Sequence, residues 1–357
     1  MGATGQPQSL VRGARFTGSG VCLLLALLTG LWIVRDLRLV DDPARLWWAW
    51  AGSGPDRFLT ASTLYDLSLL LVYVVVAVLV PRSPVAASAL AVTALVTLAV
   101  RAPALWVEGF AEVYPHGLRM RAMVSTFLAL GLAAILLITV AAGRRPVRSG
   151  QGAPGSYGRT DGPLFQGARI PTRPGRGAGI ASAVLLVAVG LVASAWEVYG
   201  FSQNSGDFSR YAERFTGSGG GLQLLGVPAG WACLVLVVIS LTAAVGALLG
   251  AVHSRPLGLV VAGLVGVSGA AGVSLAVRAD LFTAFGALGG VERLTVVGWV
   301  FHLLAGAALV LLLGRRGVPG DPPPRLAANV YDGYGPSPLP GGGAFGPPPP
   351  SSRPPGW

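Results

Sequence analysis

The chain has 357 residues, of which 53% are hydrophobic and only 11% are charged, and its mean hydropathy is +0.65. Soluble domains carry about 25% charged residues, so this composition excludes a typical soluble domain and indicates a membrane protein. The formal net charge of +11 raises the question of a nucleic-acid partner, which the distribution of the charge along the chain answers.

Eight apolar segments are long enough to cross about 30 Å of hydrocarbon, which takes roughly 20 helical residues. The arginines before the first segment are typical of a signal peptide, but "GLWIVRDLRL" offers no small-x-small cleavage site, so we expect an uncleaved first span. The expected fold class is therefore all-α, a polytopic membrane protein with eight transmembrane helices. In chain order the spans are 19–34, 62–80, 84–100, 122–142, 178–196, 228–252, 256–277 and 294–313.

The arginines predict which connections face the cytoplasm. With the N-terminus inside, the inner segments hold 15 arginines and three acids, whereas the opposite loops hold 11 of each. The net charge then lies on one side of the membrane, as the positive-inside rule requires. We therefore expect a multi-pass protein of the cell membrane with both termini in the cytoplasm. Its basic segments should contact the anionic lipids of the inner leaflet, and no nucleic-acid partner is expected.

Two parts of the sequence indicate an internal repeat. Residues 93–102 (TALVTLAVRA) and 270–279 (AAGVSLAVRA) are identical at seven of ten positions, and after each copy one more span ends at Gly-Arg-Arg. An acid followed by Arg-Phe also recurs in the outer loops, at 56–58 and 213–215. We interpret this as a tandem repeat of four spans, with convergent low-complexity sequence as the alternative. Because four is even, both repeats enter the bilayer in the same direction and are parallel.

The expected domain organisation has two repeats and three cytoplasmic segments. The C-terminal tail holds 13 of the 27 prolines, so it samples polyproline II and cannot form a core. It is either a docking segment for a cytoplasmic partner with an aromatic groove or a solvated spacer. The bounds are 1–18 for the N-terminal segment, 19–145 for repeat 1, 146–177 for a disordered basic loop, 178–316 for repeat 2 and 317–357 for the disordered tail.

Charged residues near the ends of the spans are candidate site residues. Asp66 lies about one turn inside the outer end of span two, at a depth similar to that of Arg101 at the end of span three. A lone carboxylate there is costly, so it is either protonated or paired, and Arg101 is the nearest partner in depth. The alternative role of Arg101 is an interfacial anchor that reaches lipid phosphates. Arg278 is its counterpart in the second repeat, where Glu197 or Asp280 would have to pair with it.

Aromatic residues supply further candidates. His302 is the only histidine within a span, and we expect a neutral imidazole that is hydrogen-bonded to a neighbouring helix, with a functional role as the alternative. Trp47, Trp48 and Trp50 favour a short helix in the outer interface. They either anchor that helix at the headgroup level or stack on a sugar or lipid headgroup.

Small residues predict how two spans pack. Ala262, Gly266, Ala270 and Ser274 follow one another at intervals of four in span seven, and span three is also rich in alanine. Such faces let helices approach closely in lipid, where dispersion attraction holds them together. We therefore expect spans three and seven to be central and to pack through their small-residue faces.

The sequence contains no signature of catalysis or metal binding. Cys22 and Cys233 should lie near opposite faces of the bilayer, so neither a disulfide nor a metal site is expected, and no cofactor is implied. The preferred hypothesis is a non-enzymatic membrane scaffold or assembly protein. The alternative is a transporter or channel for a small or lipidic solute with its path between the repeats, and an enzyme comes third.

All 26 basic residues are arginine, and Gly, Ala, Val and Pro are abundant, which is typical of a high-GC genome. With its many spans and its proline-rich tail, the chain resembles the multi-span integral membrane proteins of actinobacterial type. This resemblance implies the membrane fold and no particular activity.

Overall fold

The computed structural model describes most of the chain. The described residues are 8–53, 60–107, 114–146, 172–203, 207–218, 223–315 and 318–319. Residues 1–320 form one compact unit, and a second unit, 321–357, lies outside the described residues. Apart from loops and turns, the described residues form helices and four strands of two or three residues each.

Among the described residues, eight helices are long and apolar enough to cross a membrane, which confirms the eight predicted spans. Two short helices, α2 and α7, each follow the first spanning helix of one half of the chain. The bounds are α1 (Arg12–Val40), α2 (Pro43–Trp50), α3 (Leu64–Leu79), α4 (Ala86–Arg101), α5 (His116–Ala142), α6 (Arg176–Gln203), α7 (Phe208–Thr216), α8 (Ala229–Leu248), α9 (Ser254–Arg278) and α10 (Gly290–Gly314).

Local sequence explains the turn from α1 into α2. Asp41 ends α1 in the left-handed conformation (φ 56°), which Asp adopts more readily than most residues. The Asp42 Oδ1 then accepts the Ala44 backbone N–H at 2.8 Å, and Pro43 occupies the first helical position, where no N–H is needed. The short helix with the three tryptophans that the sequence predicts is therefore present as α2.

The spanning helices pack in the same pairs in both halves of the chain, α1–α5 and α6–α10. The first helix of each half packs against the second and the fourth, so α1 contacts α3 and α5, and α6 contacts α8 and α10. The third helix packs against the fourth, as α4 on α5 and α9 on α10. Half of the apolar window is buried in α4 and in α9, against 28–39% in the other six, so these two are the central helices, as predicted.

α9 does contact α4, but the glycines of its small-residue face pack against α10, so the prediction that spans three and seven meet through that face is wrong. A Cβ on Gly306 of α10 would lie 2.7 Å from Gly266 Cα, and Cβ atoms on Gly269 and Gly272 would collide with Leu303 and Trp299. A Cβ on Gly263 would meet nothing within 4 Å. Small residues occur on several sides of α9, and the sequence does not indicate which side faces which neighbour.

Two short antiparallel ladders lie at one end of the bundle, here called the strand end. β1 (Gln8–Leu10) pairs with β2 (Arg144–Pro146), and β3 (Thr172–Arg173) pairs with β4 (Val318–Pro319). The prediction of disorder for 146–177 and 317–357 is wrong where these segments contain β3, β4 and the first residues of α6. The two strands are ordered because each gives the other a hydrogen-bonded partner. The remainder of both segments, 147–171 and 320–357, lies outside the described residues.

Candidate functional site

The opposite end of the bundle, here called the loop end, carries α2, α7 and a buried ion pair between α3 and α4. Arg101 Nη2 donates to Asp66 Oδ1 at 2.6 Å, and the two side chains are only 7% and 1% exposed. The other Asp66 oxygen accepts the backbone N–H of Thr63 at 2.7 Å and its hydroxyl at 2.9 Å. Of the two interpretations offered by the sequence, the structure adopts the paired one, and Arg101 does not extend to lipid.

The surroundings of this pair explain why two buried charges are tolerated. Attraction offsets the loss of hydration only where the geometry is good and further hydrogen bonds satisfy the remaining lone pairs, as the Thr63 bonds do here. Deeper between the same helices, the Tyr73 hydroxyl and Thr97 Oγ1 lie 2.8 Å apart and both side chains are buried. The start of α3 is therefore fixed to the end of α4 by polar contacts.

Asp36 is a second buried carboxylate, and it is not among the candidate site residues predicted from the sequence. It is fully buried near the end of α1, and its Oδ2 accepts the backbone N–H of Ala61 (2.9 Å) and of Ser62 (2.6 Å) and the Ser62 hydroxyl (2.6 Å). Its Oδ1 accepts Arg35 Nη1. Asp36 thus holds the loop before α3, and the available sequence signal was an Arg-Asp pair at the end of an apolar run.

Arg278 has a different partner from the one the sequence suggests. Its guanidinium lies over the Trp48 ring, 4.4 Å from the ring centroid, rather than against Glu197 or Asp280. Beside it, Trp47 Nε1 donates to Ser274 Oγ at 2.9 Å, and Trp50 Nε1 donates to Ser62 Oγ at 3.3 Å. The three tryptophans are half-buried and contact the rest of the bundle, and their predicted roles as headgroup anchors or as a stacking surface for a ligand stay predictions.

Glu197 pairs within its own half. Arg214 Nη2 of α7 donates to Glu197 Oε1 at 2.8 Å, and the Tyr211 hydroxyl donates to Oε2 at 3.2 Å. The hydrogen bond to this carboxylate raises the pKa of Arg214 above its ordinary value. Desolvation, followed by the charge of Glu197, raises the pKa of Tyr211. These contacts hold α7 on the end of α6.

Loops of the two halves bond to each other at the loop end. Leu225 N–H donates to the Ala61 carbonyl at 2.9 Å, and Gln223 Nε2 donates to Thr60 Oγ1 at 3.1 Å. Trp231 Nε1 of α8 donates to the Ala99 carbonyl of α4 at 2.7 Å. These bonds join residues more than 120 positions apart, so they close the loop end across the two halves.

His302 lies beside a small cavity between the halves. The cavity holds about 60 Å³ and is lined mainly by apolar residues, together with Tyr65 and Ser268. His302 Nε2 is buried without a hydrogen-bond partner in the part of the chain that the structure describes, so the predicted bond to a neighbouring helix is absent for this atom. Among the described residues, no group of three His, Cys, Asp or Glu side chains is placed to hold a metal ion.

The fold defines an integral membrane protein whose described residues form eight apolar helices, and at the loop end Arg101, Arg214 and Arg278 are bound by other parts of the same chain. Comparison with models of protein families, with curated proteins and with solved structures finds no match, so no family contributes a specific activity.

Proposed function

We propose that the protein is a non-enzymatic membrane scaffold or assembly protein. The observation that supports this most directly is the small size of the cavity that the described residues form between the halves, about 60 Å³. Pockets for small solutes measure roughly 300–1,000 Å³, so this space is far too small for one. The buried charges support the same proposal, because Asp36, Asp66 and Arg101 are each bonded within the chain, so none of these three is available to a solute.

We further propose that the chain is a parallel tandem repeat. Three features support this: the order of long and short helices is the same twice, the spanning helices pack in the same pairs, and one two-stranded ladder joins the two ends of each half. The shared LAVR sequence lies at the end of the third spanning helix in both halves, α4 and α9. The proposed correspondence of residues 56–58 with 213–215 involves residues outside the described ranges.

We propose that the strand end faces the cytoplasm and that the membrane is the cell membrane. The excess of arginine falls mainly in the stretch between α5 and α6 and in the residues after α10, and the described ends of these helices lie at the strand end, as the positive-inside rule requires. A reporter fused after Trp357 should then be active only in the cytoplasm. Activity only on the outer side would contradict this orientation.

The proline-rich tail is the proposed contact with a cytoplasmic protein, and the arginine-rich connection is the proposed contact with anionic lipid of the inner leaflet. The test is co-purification of native partners with the full chain and with a form ending at Pro319, which keeps β4. A matched control replaces 320–357 by a Gly/Ser segment of equal length. If the protein is a scaffold, native partners should co-purify with the full chain and be lost from both variants. An absence of partners for the full chain contradicts the scaffold proposal.

The second candidate function is a transporter or channel with its path between the halves. It is favoured by the repeated architecture and by the unbonded His302 Nε2 beside the cavity at that interface. Single cysteines along α4 and α9, in a chain with Cys22 and Cys233 changed to serine, can be labelled with a membrane-impermeant thiol reagent. Protection throughout supports the scaffold, and a continuous labelled stripe supports transport.

A further inference from the structure

A groove between α1 and α5 opens at the loop end. It encloses about 580 Å³, and its lining is mostly apolar. At its floor, Trp32 Nε1 donates to Ser125 Oγ at 3.1 Å, which joins the two helices. Its walls include Leu28, Leu31 and Arg35 of α1 and Arg121, Val124 and Leu128 of α5. This groove lies on the lipid-facing outside of the bundle, because Leu31, Val124 and Leu128 are exposed side chains of spanning helices.

The polarity of the groove changes along its length. Arg35 lies seven residues beyond Leu28 on α1, toward the loop end, and Arg121 lies seven residues before Leu128 on α5, also toward the loop end. Seven helical residues rise about 10 Å. The groove therefore has two arginines at its loop-end mouth and leucines about 10 Å deeper, in the hydrocarbon region.

A second cavity adjoins the first, and Met120 lines both. It encloses about 360 Å³, and Trp106, His116 and Arg119 are among its lining residues. Arg119 Nε is buried and has no hydrogen-bond partner among the described residues. A buried guanidinium N–H without an acceptor is costly, so an acceptor supplied by a ligand would stabilise it.

Two of the three arginines beside these cavities are not neutralised by other described residues. Arg35 is paired with Asp36, whereas neither Arg119 nor Arg121 has a hydrogen-bonded or ion-paired partner among the described residues. By contrast, Arg101 and Arg214 at the same end are paired with carboxylates. Two positive side chains beside two cavities favour an anion, and the planar guanidinium fork suits phosphate best.

We propose that this groove binds a phospholipid with an anionic headgroup. The phosphate lies against Arg121 at the mouth of the groove, Arg119 adds positive charge from the adjoining cavity, and one acyl chain lies along the apolar groove toward Leu28 and Leu128. A free phosphate ion would leave the apolar part of the 580 Å³ groove unused, and a choline headgroup would place a second cation beside the arginines. The proposal requires only that the helices are in a membrane, and it depends neither on the scaffold function nor on which end faces the cytoplasm.

The test measures lipids retained by the full chain. The protein is placed in nanodiscs of equal phosphatidylglycerol and phosphatidylcholine, extracted in mild detergent, and weighed with its bound lipids by native mass spectrometry. The wild-type chain should retain phosphatidylglycerol over phosphatidylcholine. Arg119→Gln combined with Arg121→Gln should lower that retention about tenfold, the effect of losing charge-assisted hydrogen bonds. Arg38→Gln is the matched control, since Arg38 is an exposed arginine of α1 that lines neither cavity.

Two further variants separate the headgroup from the acyl chain and from neighbouring acids. Leu31→Trp fills the groove while keeping the arginines, and it should lower lipid retention without changing binding of glycerol phosphate. Glu108→Gln with Glu112→Gln removes the acids that precede α5 in the sequence and lie outside the described residues, and retention should stay equal or rise.

The proposal is overturned by any of three results: equal retention of both lipids by the wild type, unchanged retention in the arginine double variant, or unchanged retention in Leu31→Trp. Loss of retention in the glutamate variant also contradicts it, because the acids would then be the element that forms the site. Arg121→Gln alone changes an exposed side chain, so it keeps the test valid if the double variant fails to fold.

Discussion

Arg101 and Arg278 occupy the same position in two copies of LAVRA, yet the two halves of the molecule use them differently. In the first half, Arg101 is buried against Asp66, a carboxylate of the preceding helix. In the second half, Arg278 lies over the Trp48 ring, which belongs to the other half of the chain. The end of an apolar span determines where the charge lies, whereas the partner of that charge depends on the residues that the surrounding elements bring there.

The two short helices differ in the same way. α7 stays on its own half, held by Arg214 and Tyr211 against Glu197 at the end of α6. α2 reaches across to the other half, where Trp47 bonds to Ser274 and Trp48 contacts Arg278. The first half therefore reaches onto the second through α2, and the reverse contact runs through Trp231 of α8 to the Ala99 carbonyl of α4. A similar order of helices does not produce equivalent contacts between them.

The largest expected effect comes from breaking the Asp66–Arg101 pair. Asp66→Leu leaves a buried guanidinium without its carboxylate, which should lower the free energy of unfolding by about 3–5 kcal/mol. The double variant Asp66→Leu with Arg101→Leu should recover most of that loss, because no unpaired charge remains. Thermal unfolding in detergent, followed by circular dichroism, measures both. If Asp66→Leu costs no more than Arg278→Leu, the contrast between the two halves is wrong.

A second, smaller effect tests the contact between the third and fourth helices of each half. Gly269→Val in α9 introduces a side chain where the Leu303 backbone lies, and overpacking of this kind should cost about 1–3 kcal/mol. Gly131→Val in α5 is the control, because Gly131 is an exposed helical glycine where a Cβ meets nothing within 4 Å, so its cost should be much smaller. Equal losses of thermal stability in the two variants would show that the loss comes from valine in a helix and not from the close approach of α9 and α10.

The smallest expected effect concerns the contact of Arg278 with the tryptophan. Trp48→Leu removes the aromatic face and should cost about 0.5–2 kcal/mol, whereas Trp48→Phe keeps part of the cation–π attraction and should cost less. The order of the two melting temperatures is the measurement. A Phe variant as unstable as the Leu variant would show that packing of the indole, and not its attraction for the guanidinium, holds α2 on the second half.

Sequence patterns predicted the spans well and their ends poorly. Hydropathy detects the part of a helix that lies in hydrocarbon, whereas backbone hydrogen bonding continues into polar flanks, so the segment predicted at 19–34 is part of a helix that covers Arg12–Val40. The start of α3 did carry a readable signal, because Thr63 followed three residues later by Asp66 before an apolar run is typical of a helix N-terminus. That pattern explains the hydrogen bonds that Thr63 donates to one oxygen of Asp66. The similar depth of Arg101 in the membrane indicated the partner of the other oxygen.

The remaining site contacts could not be predicted because they join residues far apart in the sequence. Asp36 bonds to the backbone of Ala61 and Ser62, and a backbone N–H has no sequence signature that a carboxylate 25 residues away would reveal. Arg278 meets a tryptophan 230 positions earlier, so electrostatics alone pointed to the nearer acids Glu197 and Asp280. Depth in the membrane identifies the partner of a buried charge only when a single opposite charge lies at the same depth, as Asp66 does for Arg101.

The ladders at the strand end bear on whether the chain can be divided into two fragments that still assemble. Because β1 lies beside β2 and β3 lies beside β4, each group of four spanning helices begins and ends at one spot, and the long connection 147–171 is not needed to bring those ends together. We therefore expect that the chain can be made as two separate polypeptides, divided within that connection, and that each fragment folds before the two associate in the bilayer.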